Sequence, residues 1–400
     1  MPLTLQGARL VDAWGDHPHS HITLCNTHIS AIGATPPHTG AIIDASDAII
    51  MPGFIDIHTH GGGSFNLHTS DIDEIHAYAR WVPSTGTTAF LACVVGIPHE
   101  MPVVQLRAAT MAIQHGELGA EAVGIHLEGP YINVKRRGAH EPSWMRIPSE
   151  TETKQILALT AGHLVLVTLA PELPQAEAMI QRLRAAGVTV SMGHTDVDYE
   201  GAHQAIALGI THATHCFNAM PPIHHRTPGP LGAIVESPQV YGELIADGHH
   251  VHPAAMRLLM RAIGPERTII ITDALAGAGI PNAEFLFADR TAHVTDGVAR
   301  LPDGTITGSV LTMDQALRNL MAWFNLTLSD AVRMMTYNPA VAARVAHRKG
   351  LLQPGYDADL AIFDTDFQLQ ATFCRGMLLY ATDAWQKRLE RCIATSSNTG

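Results

Sequence analysis

The sequence is poor in charge. Of its 400 residues only 16% are Asp, Glu, Lys or Arg, against 46% hydrophobic. A chain with so few charges buries many of its elements on all sides, as α/β proteins do. Basic residues are the scarcer sign: 25 Lys and Arg face 37 Asp and Glu, a net charge of -12 with neutral histidines. No basic cluster with interleaved aromatics occurs, so a nucleic-acid surface is excluded and any anionic ligand needs a local cationic pocket. Cysteine is scarce too. Cys25, Cys93, Cys216, Cys374 and Cys392 are odd in number, scattered, and form no Cys-x-x-Cys. That pattern predicts reduced thiols in a cytoplasmic protein rather than a disulfide framework. The first residues lack a basic region followed by an apolar core, so no signal peptide is expected. No apolar run is long enough to span a bilayer, and no membrane partner is expected. Gly-x-Gly-x-x-Gly is missing after every strand candidate, which argues against a dinucleotide fold. Gly-x-Ser-x-Gly is missing as well, which leaves no serine nucleophile motif.

What the chain does have is histidine, 25 of them. Roughly one or two His-x-His pairs are expected by chance at that density, and His17/His19, His19/His21 and His250/His252 are pairs of that kind. His58/His60 differs in context. It ends the segment Pro52-Gly53-Phe54-Ile55-Asp56-Ile57-His58-Thr59-His60, and Gly61-Gly62-Gly63 follows. Residues two apart in a strand point to one face, so both imidazoles project where the strand stops, an arrangement that can hold a metal ion.

Eight short apolar segments read as strands: 53–60, 87–95, 122–128, 164–170, 188–194, 213–217, 241–247 and 268–273. Helical patterns lie between most of them, as at 71–81, 101–115, 175–186 and 253–263. Eightfold strand–helix alternation predicts an α/β fold of the (β/α)8 TIM-like barrel type. Residues 1–50 and 350–385 have a different texture, with short alternating runs broken by Gly, Asn, Asp and Pro. They predict a small β-sandwich domain built from both chain ends around a barrel at 51–349. Residues 386–400 are expected to be a tail, polar and frayed from 394.

Polar residues collect at the C-terminal ends of the barrel strands. His58 and His60 end the first, Glu128 the third, His194 the fifth, His215 the sixth, Asp247 the seventh and Asp273 the eighth. In a barrel these ends share one rim, where active sites sit. Four histidines with two carboxylates suit Zn2+ or a similar divalent ion. Two ions are favoured over one: His58, His60 and Asp273 for one, His194 and His215 for the other, with Glu128 between them. A metal-bound hydroxide would be a nucleophile at neutral pH, and Asp273 could take its proton and pass it to a leaving group. This is machinery for hydrolysing a C–N bond.

The same segments carry a resemblance. The barrel with His-x-His, two later His and a final Asp is similar to the amidohydrolase superfamily. Within it the chain resembles the N-acetylglucosamine-6-phosphate deacetylase family. The carrying motifs are residues 52–63, 124–131, 135–140, 193–195, 215–220, 224–229, 246–250, 272–274, 308–313 and 338–340. The resemblance implies deacetylation of N-acetylglucosamine 6-phosphate, with Glu128, His194 and His215 as the shared metal ligands. Some members replace the His-x-His pair and use one metal; this chain keeps both. Asp273 would be general base and acid, and His140 would polarise the acetyl carbonyl. Asn218, Ala219, Arg226 and His250 would hold the sugar phosphate, Arg226 from its own or a neighbouring subunit of a homodimer or dimer of dimers. Ala139 and backbone at Leu311, Thr312 and Met313 would line the sugar pocket. Thr227 is a departure, since the family often has Glu there. Many relatives bridge their metals with a carboxylated lysine on the fourth strand. The segment 164–170 has no Lys, which favours the deacetylase branch over dihydroorotase-like enzymes. Two other readings are a deacetylase of another N-acetylhexosamine 6-phosphate, such as the galactosamine epimer, and a non-catalytic scaffold on the same barrel. The second would have lost ligands that are all present here.

Overall fold

Eight parallel strands follow one another around a single sheet, each beside its predecessor in the chain. They are Phe54–Thr59, Thr87–Val95, Glu121–Glu128, Leu164–Leu169, Thr189–Met192, His212–Ala213, Tyr241–Ile245 and Thr268–Ile271. The computed structural model describes residues 2–33, 40–281, 283–287 and 290–397. Two backbone hydrogen bonds of 2.8 Å, Asp273 N–H to His58 O and His60 N–H to Ala274 O, join the eighth strand's exit to the first strand. The sheet therefore meets itself at the rim where the His-x-His pair lies. Inside the joint, Thr272 Oγ1 donates to the buried Asp56 carboxylate. Burial pushes the Asp56 carboxyl up to about 6 despite that bond.

The strands are apolar on both faces because helices cover the outside while side chains fill the inside. Thr87–Val95 is buried at all nine positions. The helices have the start signals expected of them. Asp71 caps Ile72–Trp81, Ser149 caps Glu150–Leu159 and Asp198 caps Tyr199–Leu208, each accepting a backbone N–H from the first turn. Met334 and Met335, in the helix Leu328–Met335, are fully buried in the barrel core.

The antiparallel texture of both chain ends resolves into one mixed eight-stranded sheet. Its main path runs from Met377–Ala381 through Leu369–Cys374, Leu360–Phe363, Ile49–Pro52, Leu3–Asp12 and Gly15–Cys25 to His28–Gly33, and Ala41–Asp44 pairs beside Leu3–Asp12. Alternation within its middle strands divides two cores. Ile50, Leu360 and Ile362 face the sheet's own cluster, whereas Ile49, Met51, Ala361 and Phe363 join the barrel core.

Three features depart from expectation. The tail expected over 386–400 is mostly a helix, Asp383–Ser397, because Trp385 and Leu389 pack on the small sheet's core. Residues 398–400 lie outside the described residues. An antiparallel sheet of Glu284–Phe287, Arg290–Thr295 and Val298–Arg300 sits between the eighth barrel strand and the helix Met313–Trp323. The fifth, sixth and eighth barrel strands are also shorter than expected, so their polar residues lie beyond the strands rather than on them.

Candidate metal centre

His194, His215 and Asp273 each lie two residues past a strand that ends at Met192, Ala213 and Ile271. All three have left-handed backbone, with φ of 47°, 30° and 49°. A non-glycine residue held there costs about 1–3 kcal/mol and persists only where its surroundings over-determine it. Here they do. Asn133 N–H donates to His194 O, Asn218 N–H to His215 O and Ser309 N–H to Asp273 O. The turns swing the three side chains inward over the barrel mouth.

There they meet His58, His60 and Glu128. His194 Nε2 lies 3.2 Å from Glu128 Oε1, His215 Nε2 3.3 Å from the same oxygen, and the two nitrogens are 3.0 Å apart. On the other side His60 Nε2 is 3.3 Å from Glu128 Oε2 and 3.0 Å from Asp273 Oδ1. His58 Nε2 is 3.4 Å from Glu128 Oε1 and 3.5 Å from Asp273 Oδ1. Ligand atoms ~2.0–2.1 Å from a tetrahedral zinc ion stand ~3.3 Å from one another. The observed separations match that spacing, and Glu128 faces both halves of the cluster.

Surrounding groups orient the imidazoles. The His194 Nδ1–H donates to Arg136 O at 2.8 Å, which turns the Nε2 lone pair into the cluster. His58 Nδ1 donates to Glu243 Oε2 at 3.1 Å, and Glu243 also accepts the His215 N–H. The fully buried His58 Nε2 has no hydrogen-bond partner. Such outer contacts fix the tautomer of a metal-ligating histidine. Burial opposes charge on His58 and His60, but Glu128 and Asp273 raise His58, and Cys93 ahead of Asp273 and Glu128 raises His60, well above the usual imidazole range. Burial likewise opposes ionisation of Glu128 and Asp273, and His58 first among the neighbours holds both down. The partnerless His58 Nε2, with imidazoles and carboxylates at ligand spacing, fits a divalent cation that takes the place of the imidazolium proton.

A cavity of about 210 Å3 opens above this cluster. His60, Glu128, His194, His215 and Asp273 form its floor, and Ala139, His140, Asn218, Ala219, His249 and His250 line its sides. His140 Nε2 stands 3.6 Å from Glu128 Oε2. Burial lowers the His140 imidazole to about 4, so it is neutral at physiological pH. Arg290, from the inserted antiparallel sheet, donates to Ala139 O and to Glu141 and so braces this loop. His250 has an acceptor at each ring nitrogen, Asp247 Oδ2 at 2.6 Å and Thr307 O at 3.0 Å. Both positions suit a ring N–H donor. Burial opposes charge on the ring, but Asp247 outweighs it and raises the His250 pKa.

Four expected pocket residues are elsewhere. Leu311, Thr312 and Met313 are absent from the cavity wall and line a separate small void with Asp56 and Thr272. Ser309 bridges to Ala274, which turns the following residues inward to start the helix Met313–Trp323, and Ile306, Thr307 and Gly308 form the wall instead. Arg226 is exposed on the loop 221–228 and has no ion pair among the described residues, and Thr227 beside it is exposed too. The sequence does not mark Glu243, a lone carboxylate inside the strand Tyr241–Ile245. Nor does it mark Cys93, whose strand is an unbroken apolar run from Ala89 with no alternation to show an inward face.

The amidohydrolase family matches residues 49–385. N-acetylglucosamine-6-phosphate deacetylase of Bacillus subtilis is 36% identical over 348 residues, 86% of this chain and 88% of the relative. N-acetylgalactosamine-6-phosphate deacetylase of Escherichia coli O157:H7 is 32% identical over 347 residues, 87% of this chain and 92% of the relative. Among solved structures, a mutant N-acetyl-D-glucosamine-6-phosphate deacetylase of Mycobacterium smegmatis, in complex with N-acetyl-D-glucosamine 6-phosphate, is similar with a TM-score of 0.89. That structure is 34% identical, covering 95% of this chain and 99% of that one.

Proposed function

The chain belongs to the amidohydrolase family and is a hydrolase acting on amide bonds; from that premise we propose that it converts N-acetylglucosamine 6-phosphate to glucosamine 6-phosphate and acetate. The observation that carries the reading is the convergence of six side chains from the ends of five barrel strands, with donor atoms 3.0–3.5 Å apart, five of them on the floor of one cavity and His58 buried beneath it. Glu128, His194 and His215 would hold one divalent ion, and His58, His60 and Asp273 a second that shares Glu128. Zinc suits these donors. When bound, such an ion lowers the pKa of a coordinated water to about 7 and polarises a carbonyl oxygen.

The chain's own residues do the rest. Asp273 is held as a carboxylate at the cavity floor, next to His58 and His60. It takes the proton of the attacking water and delivers it to the amine, which leaves poorly unless protonated. Neutral His140 offers its imidazole to the acetyl oxygen from the side wall. Asn218, Ala219 and the face of His250 bind the sugar phosphate, and Ala139 lines the sugar. Ile306, Thr307 and Gly308 supply the wall that Leu311, Thr312 and Met313 do not.

The protein carries a net charge of -12, so a phosphate dianion needs a dedicated cation. Arg226 suits that task, but from an exposed loop outside its own cavity. Exposed Ile223 on the same loop favours docking against a second subunit, consistent with a homodimer or a dimer of dimers. Among the described residues no helix is long and apolar enough to cross a membrane, which is compatible with the cytoplasmic location that the thiols favour.

The likeness to the E. coli N-acetylgalactosamine-6-phosphate deacetylase supports a second reading, in which the galactosamine epimer is the substrate. Acetate release separates the two. After reconstitution with zinc, the account expects N-acetylglucosamine 6-phosphate to turn over fastest and unphosphorylated N-acetylglucosamine poorly. Faster turnover of N-acetylgalactosamine 6-phosphate would establish the epimer reading. No acetate from any of the three would reject both.

A further inference from the structure

Cys93 lies on the second barrel strand, Thr87–Val95, between the strand that carries His58 and the strand that ends in Glu128. Its cross-strand partner on the third strand is His126, two residues before Glu128. The sulfur points into the barrel. Sγ, one nitrogen each of His58 and His60, and one oxygen of Glu128 all lie within 4.8 Å of one another, and all four residues are buried.

Other observations set this cysteine apart from a packed thiol. His58 Nε2 is wholly buried, has no hydrogen-bond partner, and faces the same small volume. The sulfur is held only loosely by its protein neighbours. It is 3.7 Å from His126 Nδ1, whose other ring nitrogen is taken by Thr168, and it touches His60. Cys216 makes the contrast. It directly follows His215, yet its sulfur turns away to Ala213 O and belongs to no such group among the described residues.

We propose that Cys93 is a thiolate ligand of the ion held by His58, His60 and Glu128. The inference rests on the two-metal reading above and adds a sulfur atom to that ion's donors. As the metal–sulfur bond forms, the thiol loses its proton to solvent, so the net charge of the metal-bound site is one lower than with a neutral thiol. A thiolate makes the site softer than imidazole and carboxylate alone. It favours Zn2+, Co2+ or Cd2+ over Mg2+ and Mn2+, which prefer oxygen donors. On the other side, the group of Glu128, His140 and His194 includes no sulfur among the described residues, so the two positions should differ in metal preference.

The test uses the full-length protein stripped by chelation and reloaded with Co2+, read by metal analysis and near-ultraviolet absorption. The expected result is two cobalt ions per chain, with a thiolate-to-cobalt charge-transfer band that grows with the His58/His60 ion. Cys93→Ser and Cys93→Ala should each abolish the band and leave one tightly held ion. They should weaken the other by more than the ~10–100-fold that loss of an outer-shell partner costs. X-ray absorption of the zinc-loaded wild-type protein needs no variant and should contain a zinc–sulfur path near ~2.3 Å. Two ions per chain with no charge-transfer band and no zinc–sulfur path would overturn the thiolate ligand and leave the two-metal reading standing. One ion per chain at saturation would overturn both.

Discussion

The third barrel strand, Glu121–Glu128, has a glutamate at each end, and the two ends of the barrel treat them differently. Glu121, at the N-terminal end, meets a complete set of partners. Arg348 reaches it at 2.7 Å and Lys349 at 2.9 Å. Lys349, itself buried, also contacts Asp357 at 2.9 Å and Asp359 at 2.5 Å. Cations and carboxylates alternate, and the cluster ties the barrel to the chain segment entering the small β sheet. Glu128, at the C-terminal end, is crowded by His58, His60, His140, His194 and His215. There His58 Nε2 and His215 Nδ1 lack hydrogen-bond partners, and three backbones are held in left-handed conformations. Buried polar groups are normally satisfied. One end obeys that rule and stabilises the fold; the other departs from it and is shaped for a cation and a reaction. The division follows the general polarity of barrels.

Substitutions at the two ends should therefore separate activity from stability. The largest effect belongs to the rim. Asp273→Asn keeps the size of the side chain and removes its basicity, so kcat should fall about 10²–10⁴-fold. Metal at Glu128, His194 and His215 and the melting temperature should be retained. Near-normal turnover in a metal-loaded variant would remove Asp273 from the proton transfer. Next comes the opposite end. Lys349→Met strands the buried carboxylate of Asp359 without its cation, while Asp357 keeps Arg348, and should cost about 3–5 kcal/mol of stability. Denaturant unfolding measures it, and the folded fraction should keep its kcat. A stable but inactive variant would break the comparison.

Much of the rim could be read from the chain, and the reasons are specific. His58 and Glu128 sit on strands, and His60 just past one, whose apolar runs mark their course and ends. The sequence reads His194, His215 and Asp273 as the last residues of their strands, and nothing in it shows that the strands stop two residues earlier and pass into left-handed turns. Leu311, Thr312 and Met313 were misplaced because a local motif does not reveal where the chain turns inward after Ser309. The terminal helix was hidden by a polar composition in which Trp385 and Leu389 supply the contacts to the small sheet's core among the described residues. Nothing in the sequence marks Cys93 as a neighbour of His58, His60 and Glu128, because every residue of its strand is buried. The charges of the lower cluster, spread over Glu121, Arg348, Lys349, Asp357 and Asp359, have no spacing that announces a network.

A third test concerns the exposed loop, which belongs to neither cluster. Arg226→Ala should raise KM for the phosphorylated sugar by about 2–4 kcal/mol, the cost of removing one partner of a charge pair. The slow turnover of the unphosphorylated sugar should barely change. Equal losses on both substrates would make Arg226 structural.

The smallest effect is a pH dependence of the lower cluster. Burial opposes ionisation of Glu121, but the hydrogen bond from Arg348 and the charge of Lys349 lower its pKa from 4.5 to about 2 in the folded protein. A depressed carboxylate pKa contributes stability that is complete above the unfolded value and is lost as pH falls through the folded one. Stability should therefore decline between about pH 4.5 and about pH 2, and Glu121→Gln should flatten that part of the profile. An unchanged slope would mean that other carboxylates govern acid unfolding.

The central claim is that the cluster around Glu128 works only with a divalent ion. Its most direct test is acetate release from N-acetylglucosamine 6-phosphate during metal titration of chelator-stripped protein, with the fold followed by circular dichroism. The account predicts a folded, inactive metal-free protein whose activity returns in step with bound zinc. Full activity in protein shown by elemental analysis to be metal-free would contradict it.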